Sequence, residues 1–462
     1  MVYGTSARKV RRIAAPLVAA ALAATCGATM PRSAPPAWRS PGLVGGTGWS
    51  YVSTAADPEV AAGAAYLPGS SVLGLADGKV LLVPYGDDDA QVLDRDDPLV
   101  AAAVAADHSW LAAGTVPGGT EVQKDMASRA LLDLKLLTAP NGASTASWSG
   151  QWNYVWPRDA AFTAAAFTVT GHYADASRIL GFLSRIQHGD GLWAARYTSD
   201  GNAVTDGRRV QLDGLGWVLW STWLLDRTDR SSAGDLWPMV RRAADKVSRL
   251  LSADGLPPRS SDYFERSPAA EQDPGKPTLG VVGPLLTGLR AAADLARERG
   301  DQTRANRWGA AANRMAKAVD REFKPYGYPR SPIKGGALDA SATFLAPPYA
   351  TYDPWVDAAV QKAGSRLKLP NGGVLPSEIW AGNHTEAWTP ETAMFALAAA
   401  ASGRTAEADS WITWLADHRT SLGALPEKVD DKGRQSSVAP LGWTDALTIL
   451  TLHSMGVTIP VP

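Results

Sequence analysis

From about residue 121 onward, the chain is a series of helical segments joined by links of alternating length. Twelve segments carry apolar residues at the 3.6-residue spacing of a helix. They lie near residues 122–138, 159–170, 174–187, 213–226, 234–252, 279–299, 303–322, 338–347, 354–366, 390–402, 405–419 and 441–455. Three of the short links contain a glycine of the kind that ends a helix, at Gly171, Gly300 and Gly403.

The other set of links is long, aromatic and polar. These links span residues 139–158, 188–212, 253–278, 323–337, 367–389 and 420–440. Six helical hairpins in this order predict an (α/α)6 barrel, a toroid in which an outer ring of helices wraps an inner ring. The first segment should then pack against the last and close the ring. An open helical array is the alternative, but helical repeats usually show a sequence period, and this chain has none that we recognise.

In such a barrel all long links lie on one face, where the inner helices present free backbone N–H groups. Residues 121–462 are expected to form this domain, and residues 49–120 a small β-containing segment of short strands and turns. Within that segment, two apolar runs flank Asp77–Gly78 and predict a β-hairpin.

The N-terminus is expected to be an export signal. Several basic residues at 8–12 precede the apolar run IAAPLVAAALAAT, which is too short to span a membrane comfortably. We assign residues 1–29 to the signal and the Pro/Ser-rich residues 30–48 to a tether. Cys26, the only cysteine, rules out an intrachain disulfide. Its position resembles that of a lipid-modified cysteine in a bacterial lipoprotein, although Thr25 precedes it where Gly, Ala or Ser is usual, so lipidated and unlipidated export both stay open.

Composition excludes several classes of function. The formal net charge is -1, and no basic stripe favours nucleic acid. Six scattered His and one Cys give no metal-ligand spacing, and no phosphate loop or nucleophile elbow is present, so we expect no cofactor. Eighteen Trp stand against seven Phe. Most are expected in the core, yet a Trp face also suits a sugar ring.

Two glutamates in long links are candidates for chemistry. Glu265 lies in RSSDYFERSP beside Tyr263 and Phe264, whose rings should reduce its solvation, raise its pKa and suit it to general acid catalysis. Glu427 lies in GALPEKVD ahead of the helix that carries Trp443, where it is expected to stay ionised and activate water. Either glutamate alone is more often a surface residue. Together they form the carboxyl pair that glycoside hydrolysis requires.

Four stretches, in order, resemble one known family. YVWPRDAAF, QLDGLGWVLW, SSDYFE and LPEKVD…APLGWTDA resemble the glucoamylase-like glycoside hydrolases of family 15, and RALLDLKLLTAPNGAS is similar to the lead-in of its bacterial members. The resemblance covers about residues 120–458. It implies an inverting α-glucosidic hydrolase built on an (α/α)6 barrel, with Glu265 as general acid and Glu427 as general base.

The resemblance also implies residues that bind the sugar. Arg158 and Asp159 match a pair that hydrogen-bonds hydroxyls of the terminal sugar, although an ordinary helix-start salt bridge is the alternative. Trp156 and Trp443 match aromatic residues of that pocket. The complete set of predicted substrate-binding residues is Tyr154, Trp156, Arg158, Asp159, Gln211, Asp213, Asp262 and Trp443.

Departures from the family pattern keep the substrate open. Arg266 follows Glu265 where many relatives have a second acid, and SEIWAGNHTEAWTPETAMF lacks the arginine that fungal members place beside the leaving sugar. Trehalose, short α-1,4 or α-1,6 glucans and dextran ends all fit. We predict an exported, exo-acting hydrolase that releases glucose from α-glucans or α-glucosides. The alternatives are a trehalase-type enzyme and a non-catalytic cell-surface carbohydrate-binding protein.

Overall fold

The structure is a computed structural model that describes residues 42–47, 53–265 and 275–462. The predicted signal sequence with Cys26, most of the predicted tether, and Arg266 lie outside the described residues. The α-helices of the described chain are α1 (Pro58–Ala62), α2 (Pro98–Ala112), α3 (Glu121–Leu136), α4 (Pro157–Val169), α5 (Tyr173–Ile186), α6 (Asp213–Thr228), α7 (Trp237–Leu250), α8 (Leu279–Glu298), α9 (Gln302–Glu322), α10 (Pro354–Leu367), α11 (Thr389–Ala401), α12 (Thr405–Asp417) and α13 (Gly442–Ser454).

The helices from α3 onward form the predicted closed ring. The inner ring consists of α4, α6, α8, the 3₁₀ helix Ala340–Leu345, α11 and α13, each packed against the next, with α13 against α4. The outer elements are α3, α5, α7, α9, α10 and α12. Helix α3 packs against α13, as the sequence predicts. The (α/α)6 fold is therefore confirmed.

One inner element is shorter than the sequence predicts. The segment near 338–347 contains only a six-residue 3₁₀ helix, which begins after the capping residue Asp339. Pro347 and Pro348 follow it closely, and proline cannot continue a helical hydrogen-bond ladder.

The inner helices are buried on nearly all sides, whereas outer helices such as α5 bury one stripe. In α4 every residue from Pro157 to Thr168 is buried. Helix α8 is long and apolar enough to cross a membrane, yet 89% of its most apolar window is buried inside the protein. In contrast, the outer helix α5 buries a face that includes Ile179, Leu180 and Leu183.

The N-terminal segment contains small antiparallel sheets and one long helix. The strands are β1 (Leu43–Val44), β2 (Thr54–Ala55), β3 (Ala65–Tyr66), β4 (Leu73–Gly74), β5 (Val80–Leu82) and β6 (Gln91–Leu93). Strands β4 and β5 form the predicted hairpin around Asp77–Gly78. The expectation of strands and turns alone is wrong for α2, where Asp97 caps an alanine-rich helix that starts with Pro98.

Most inner helices begin without a side-chain cap. Trp156, Leu212, Trp388 and Leu441 precede α4, α6, α11 and α13, and none of these residues makes a capping side-chain hydrogen bond. The first turn of each of these helices instead contains an acidic residue. Buried carboxyl groups and positive helix ends are thereby gathered at one end of the barrel.

Candidate active site

A cavity of about 350 Å³ lies at the end of the barrel where the inner helices begin. Five of the six long links contribute to its wall, as do the first turns of α4, α11 and α13. The charged and tryptophan residues of the wall are Trp152, Trp156, Arg158, Asp159, Arg208, Glu265, Trp380, Trp388, Glu391, Glu427 and Trp443. Both predicted catalytic glutamates therefore line one cavity.

Glu265 reaches the cavity from a tight turn at the end of SSDYFE. Its N–H donates to the carbonyl of Asp262 at 2.8 Å, and its φ of 55° lies in the left-handed region that few non-glycine residues adopt. Arg330 Nη2 holds Asp262 by donating to both carboxylate oxygens, at 2.9 and 2.8 Å. Backbone outliers of this kind are concentrated at functional sites.

Three side chains donate hydrogen bonds to the Glu265 carboxylate. Arg208 Nε donates to Oε2 at 3.0 Å, Gln211 Nε2 donates to Oε1 at 3.1 Å, and the Trp156 indole N–H also donates to Oε1. All three favour the ionised form.

The charge on Glu265 differs from the sequence-based expectation. Burial raises the pKa of this carboxyl, but the nearby Arg158 and Arg208 guanidinium groups outweigh burial and leave its pKa below the ordinary value. The predicted rise in pKa is therefore wrong. The prediction was based on the neighbouring aromatic rings of Tyr263 and Phe264. Arg208 belongs to another link, residues 188–212, which the sequence does not place beside Glu265.

Glu427 is held by the link before α13. Its N–H donates to Val438 O at 2.8 Å, and its carbonyl accepts from Thr389 N at 3.0 Å. In the side chain, Oε1 accepts from the Trp152 indole N–H at 3.0 Å, and Oε2 accepts from the Ser437 hydroxyl. Next to Glu427 in the chain, β8 (Lys428–Val429) is the central strand of a small sheet. Its neighbours are β7 (Ala387–Trp388) and β9 (Gln435–Ser436).

Burial controls the pKa of Glu427. It raises the pKa above the ordinary value, even though Lys428 at 3.9 Å and the hydrogen bonds from Ser437 and Trp152 lower it. The expectation that Glu427 stays ionised more readily than Glu265 is thus wrong in this structure.

Arg158 and Asp159 form both a salt bridge and part of the cavity wall. Arg158 Nη2 lies 3.1 Å from Asp159 Oδ2, and both residues are almost fully buried. Arg158 Nη1 donates to Asp213 Oδ2 at 3.1 Å and to Gln211 Oε1 at 3.0 Å. Burial raises the pKa of Asp213 to about 6, against the opposing effect of Arg158.

Four of the predicted sugar-binding residues are not among those that line the cavity. Gln211 and Asp213 position Arg158, and Asp262 fixes the Glu265 turn. Tyr154 packs edge-on against Trp156, with ring centroids 6.4 Å apart. These four residues support the wall in this structure, and direct contact with a sugar stays a prediction for each.

Aromatic rings cover much of the wall. Trp156 and Trp443 both line the cavity, and Arg158 stacks over the Trp443 ring at 4.8 Å. Sequence reasoning did not assign Trp152, Trp380 or Trp388, which also line the cavity. Their position in aromatic-rich long links was the available signal.

Glu391 is a third cavity glutamate, which the sequence analysis did not identify. It stands in the first turn of α11 and is 3% exposed. Burial raises its pKa to about 8, with a further contribution from the charge of Glu427. The available signal was an acid at the start of TPETAMFALAAAA, a helix too apolar to have an exposed face. Within the described ranges, no group of three or more His, Cys, Asp or Glu side chains is arranged to hold a metal ion.

Comparisons with known proteins agree with this architecture. No protein-family model matches the chain. It is 26% identical over 356 residues to the isomaltose glucohydrolase of Kribbella flavida, covering 68% of this chain and 88% of that protein. It is 23% identical over 360 residues to an uncharacterized glycosyl hydrolase of Methanocaldococcus jannaschii, covering 70% of this chain and 55% of the relative. The chain thus spans about half the length of that relative.

A solved structure also matches the fold. A bacterial glucoamylase in complex with acarbose superposes with a TM-score of 0.61 at 18% identity, over 78% of this chain and 59% of that one. This likeness and the closed ring of helices support the fold that the sequence predicts.

Proposed function

We propose that this glucoamylase-like glycoside hydrolase is an exo-acting, inverting enzyme that releases glucose from the non-reducing ends of α-glucosides. The observation that carries the proposal is the meeting of Glu265 and Glu427, from separate links, in a cavity that also contains Arg158 and Asp159. Two carboxyl groups beside one acetal are the minimum for this reaction. The cavity volume of about 350 Å³ lies at the small end of the range for ligand pockets, which suits a terminal sugar better than the middle of a long chain.

The proposed reaction needs one proton donor and one proton acceptor. Glu265 gives its proton to the glycosidic oxygen as the bond from that oxygen to C1 breaks. A water molecule forms the new bond to C1 from the opposite face and loses a proton to Glu427. The products are β-glucose and the alcohol of the leaving group. Arg158 donates hydrogen bonds to sugar hydroxyls, and Asp159 accepts them.

The pKa shifts favour a second assignment of the two roles. Because the pKa of Glu427 is raised and that of Glu265 is lowered, Glu427 holds a proton more readily. Glu427 would then be the acid and Glu265 the base. In the first assignment, the correct pair of protonation states is the less populated of the two singly protonated forms. The family resemblance supports the first assignment and the electrostatics support the second.

The preferred substrate is proposed to be a short α-1,6-linked glucoside. The support is the sequence likeness to a relative named isomaltose glucohydrolase. The test is hydrolysis of isomaltose, maltose, trehalose and dextran, with NMR of the first anomer formed. We expect isomaltose to react fastest and β-glucose to appear first. Trehalose as the best substrate would indicate the trehalase-type alternative, and binding without hydrolysis would indicate the carbohydrate-binding protein.

Export and lipid attachment at Cys26 are proposals that rest on the sequence. Detergent-phase partitioning of the full chain expressed in a bacterium tests the attachment. Wild-type protein should enter the detergent phase and Cys26→Ser should not. Equal partitioning of the two proteins into the aqueous phase would contradict it.

A further inference from the structure

Glu391 has no role in the proposed reaction, yet it is built into the cavity wall. It lies in the first turn of the inner helix α11, is 3% exposed, and lines the cavity. Its Oε2 is buried and has no hydrogen-bond partner among the described residues. A buried carboxyl oxygen without a partner is costly, and a hydroxyl group of a ligand in the cavity would offset that cost.

The start of α11 is joined to the backbone that holds Glu427. Thr389 N donates to Glu427 O at 3.0 Å, and the Thr389 hydroxyl lies 2.8 Å from the Thr444 hydroxyl. Glu391 follows Thr389 by two residues in the same helical turn. Its position relative to Glu427 is therefore determined by backbone contacts.

Burial and neighbouring carboxylates favour the neutral form of Glu391. Burial has the largest effect, and the negative charges of Glu427 and Asp339 also raise its pKa, while Arg158 lowers it. The ring of Tyr263, from the link before α8, also lies within electrostatic range. With a pKa of about 8, Glu391 is mostly protonated at pH 7.

Three polar side chains of the wall, Arg158, Asp159 and Glu391, then differ in hydrogen-bonding capacity. Arg158 can only donate, and an ionised Asp159 can only accept. A protonated carboxyl does both, through its O–H and its carbonyl oxygen. A sugar hydroxyl has the same two capacities, which makes it a good match for Glu391.

We propose that Glu391 is a specificity-determining residue that binds the terminal sugar as a neutral carboxylic acid, donating a hydrogen bond to one hydroxyl oxygen. This inference rests on the proposed function, because it requires a sugar in this cavity. It adds a third glutamate to the site, distinct from the pair that carries out the hydrolysis. The discrimination it provides is against sugars that lack the bonded hydroxyl.

The test measures binding of glucose and of its 2-, 3-, 4- and 6-deoxy derivatives by calorimetry. Three variants are compared with the wild type: Glu391→Leu, Glu391→Gln and the control Glu407→Gln. Glu407 is the matching third residue of the outer helix α12, where it pairs with Arg404 away from the cavity. Thermal unfolding of each variant establishes that it is folded.

Wild type and Glu407→Gln should bind glucose and discriminate strongly against one deoxy sugar. Glu391→Leu should bind glucose about 10- to 100-fold more weakly, because the hydroxyl is left without a partner, and should lose that discrimination. Glu391→Gln keeps an N–H donor and should weaken binding less. Glucose binding by wild type should also decline above about pH 8, where Glu391 ionises, whereas Glu391→Gln should not show this decline.

The outcomes separate the inference from the proposed function. If wild type hydrolyses the glucosides while Glu391→Leu keeps full affinity and discrimination, the inference alone is wrong. If wild type and Glu407→Gln neither bind nor hydrolyse any sugar, the proposed function fails, and the inference fails with it. Should Glu391→Leu not fold, the pH dependence of Glu391→Gln decides: a decline equal to that of wild type overturns the inference.

Discussion

Two regions of the cavity wall, around Glu265 and around Glu427, contain the same type of residue in opposite electrostatic surroundings. Around Glu265, Arg158 and Arg208 overcome the effect of burial and lower the pKa. Around Glu427, burial prevails over Lys428 and the pKa is raised. The comparison shows that cations from other parts of the chain, more than neighbouring aromatic rings, lower the pKa of Glu265 below that of Glu427.

Removal of either catalytic carboxyl group should have the largest effect on the rate of hydrolysis. We expect Glu265→Gln and Glu427→Gln each to reduce hydrolysis of isomaltose by about 10²–10⁴-fold, the usual contribution of general acid–base catalysis. The general acid becomes dispensable when the leaving group needs no proton, as with an activated aryl α-glucoside. Steady-state rates on both substrates therefore identify the acid as the residue whose variant recovers on the aryl glucoside.

Recovery of Glu265→Gln alone would support the family-based assignment, and recovery of Glu427→Gln alone would support the exchanged roles. Glu407→Gln on the outer helix α12 is the matched control and should behave as wild type. Full activity of either cavity variant on isomaltose would remove that residue from the mechanism.

Arg158 belongs to the proposed sugar-binding wall and also lowers the pKa of Glu265, so its loss should affect both sugar binding and the charge of Glu265. Arg158→Ala should weaken inhibition by glucose about 10- to 100-fold, because hydrogen bonds to charged groups contribute about 1.5–3 kcal/mol each. It also leaves Asp159 and Asp213 without their buried cation, at a cost of about 3–5 kcal/mol in the free energy of unfolding. Inhibition constants and denaturant unfolding test the two effects. An unchanged inhibition constant would exclude Arg158 from the sugar site.

Substitution of Arg208 should have a smaller effect, which acts through the pKa of Glu265. Arg208→Gln removes one of the cations that lower the pKa of Glu265, so that pKa should rise. Glu265 has the lower pKa of the two carboxyl groups, so the rising limb of the kcat/KM profile follows Glu265 under either assignment and moves to higher pH. If Glu265 is the acid, the maximum of the profile also rises, because a larger fraction of the enzyme then carries the required pair of protonation states. If Glu265 is the base, the maximum does not rise. The pH profile measures both, and a profile identical to that of wild type would show that Arg208 does not control this charge.

Substitution of Trp152, which contacts Glu427, should give the smallest effect. Trp152→Phe keeps the ring but removes the N–H that donates to Glu427 at 3.0 Å. That bond lowers the pKa of Glu427, so its loss should raise the pKa further and shift the limb of the pH profile that belongs to Glu427 upward. A shift in the limb assigned to Glu265 would show that Trp152 does not act on the pKa of Glu427 alone.

Much of the architecture could be predicted from the sequence. Helical spacing and the alternation of short and long links indicated the closed ring. A buried inner helix is apolar on every side, and a glycine such as Gly171, with its positive φ, marks where a helix ends. Helix α2 was missed because its apolar residues lack a clear helical stripe. The link positions of Glu265 and Glu427 could likewise be read from the sequence.

The charges of the site were decided only by the tertiary structure. Arg208 is 57 residues from Glu265 in sequence, and its effect depends on a 3.0 Å approach that no local pattern encodes. Glu391 is distinguished from the many other glutamates only by its burial beside Glu427. Helix periodicity is a property of neighbouring residues and survives in the linear sequence. A pKa depends on desolvation and on charges a few ångströms away, so it is defined only once distant links have come together.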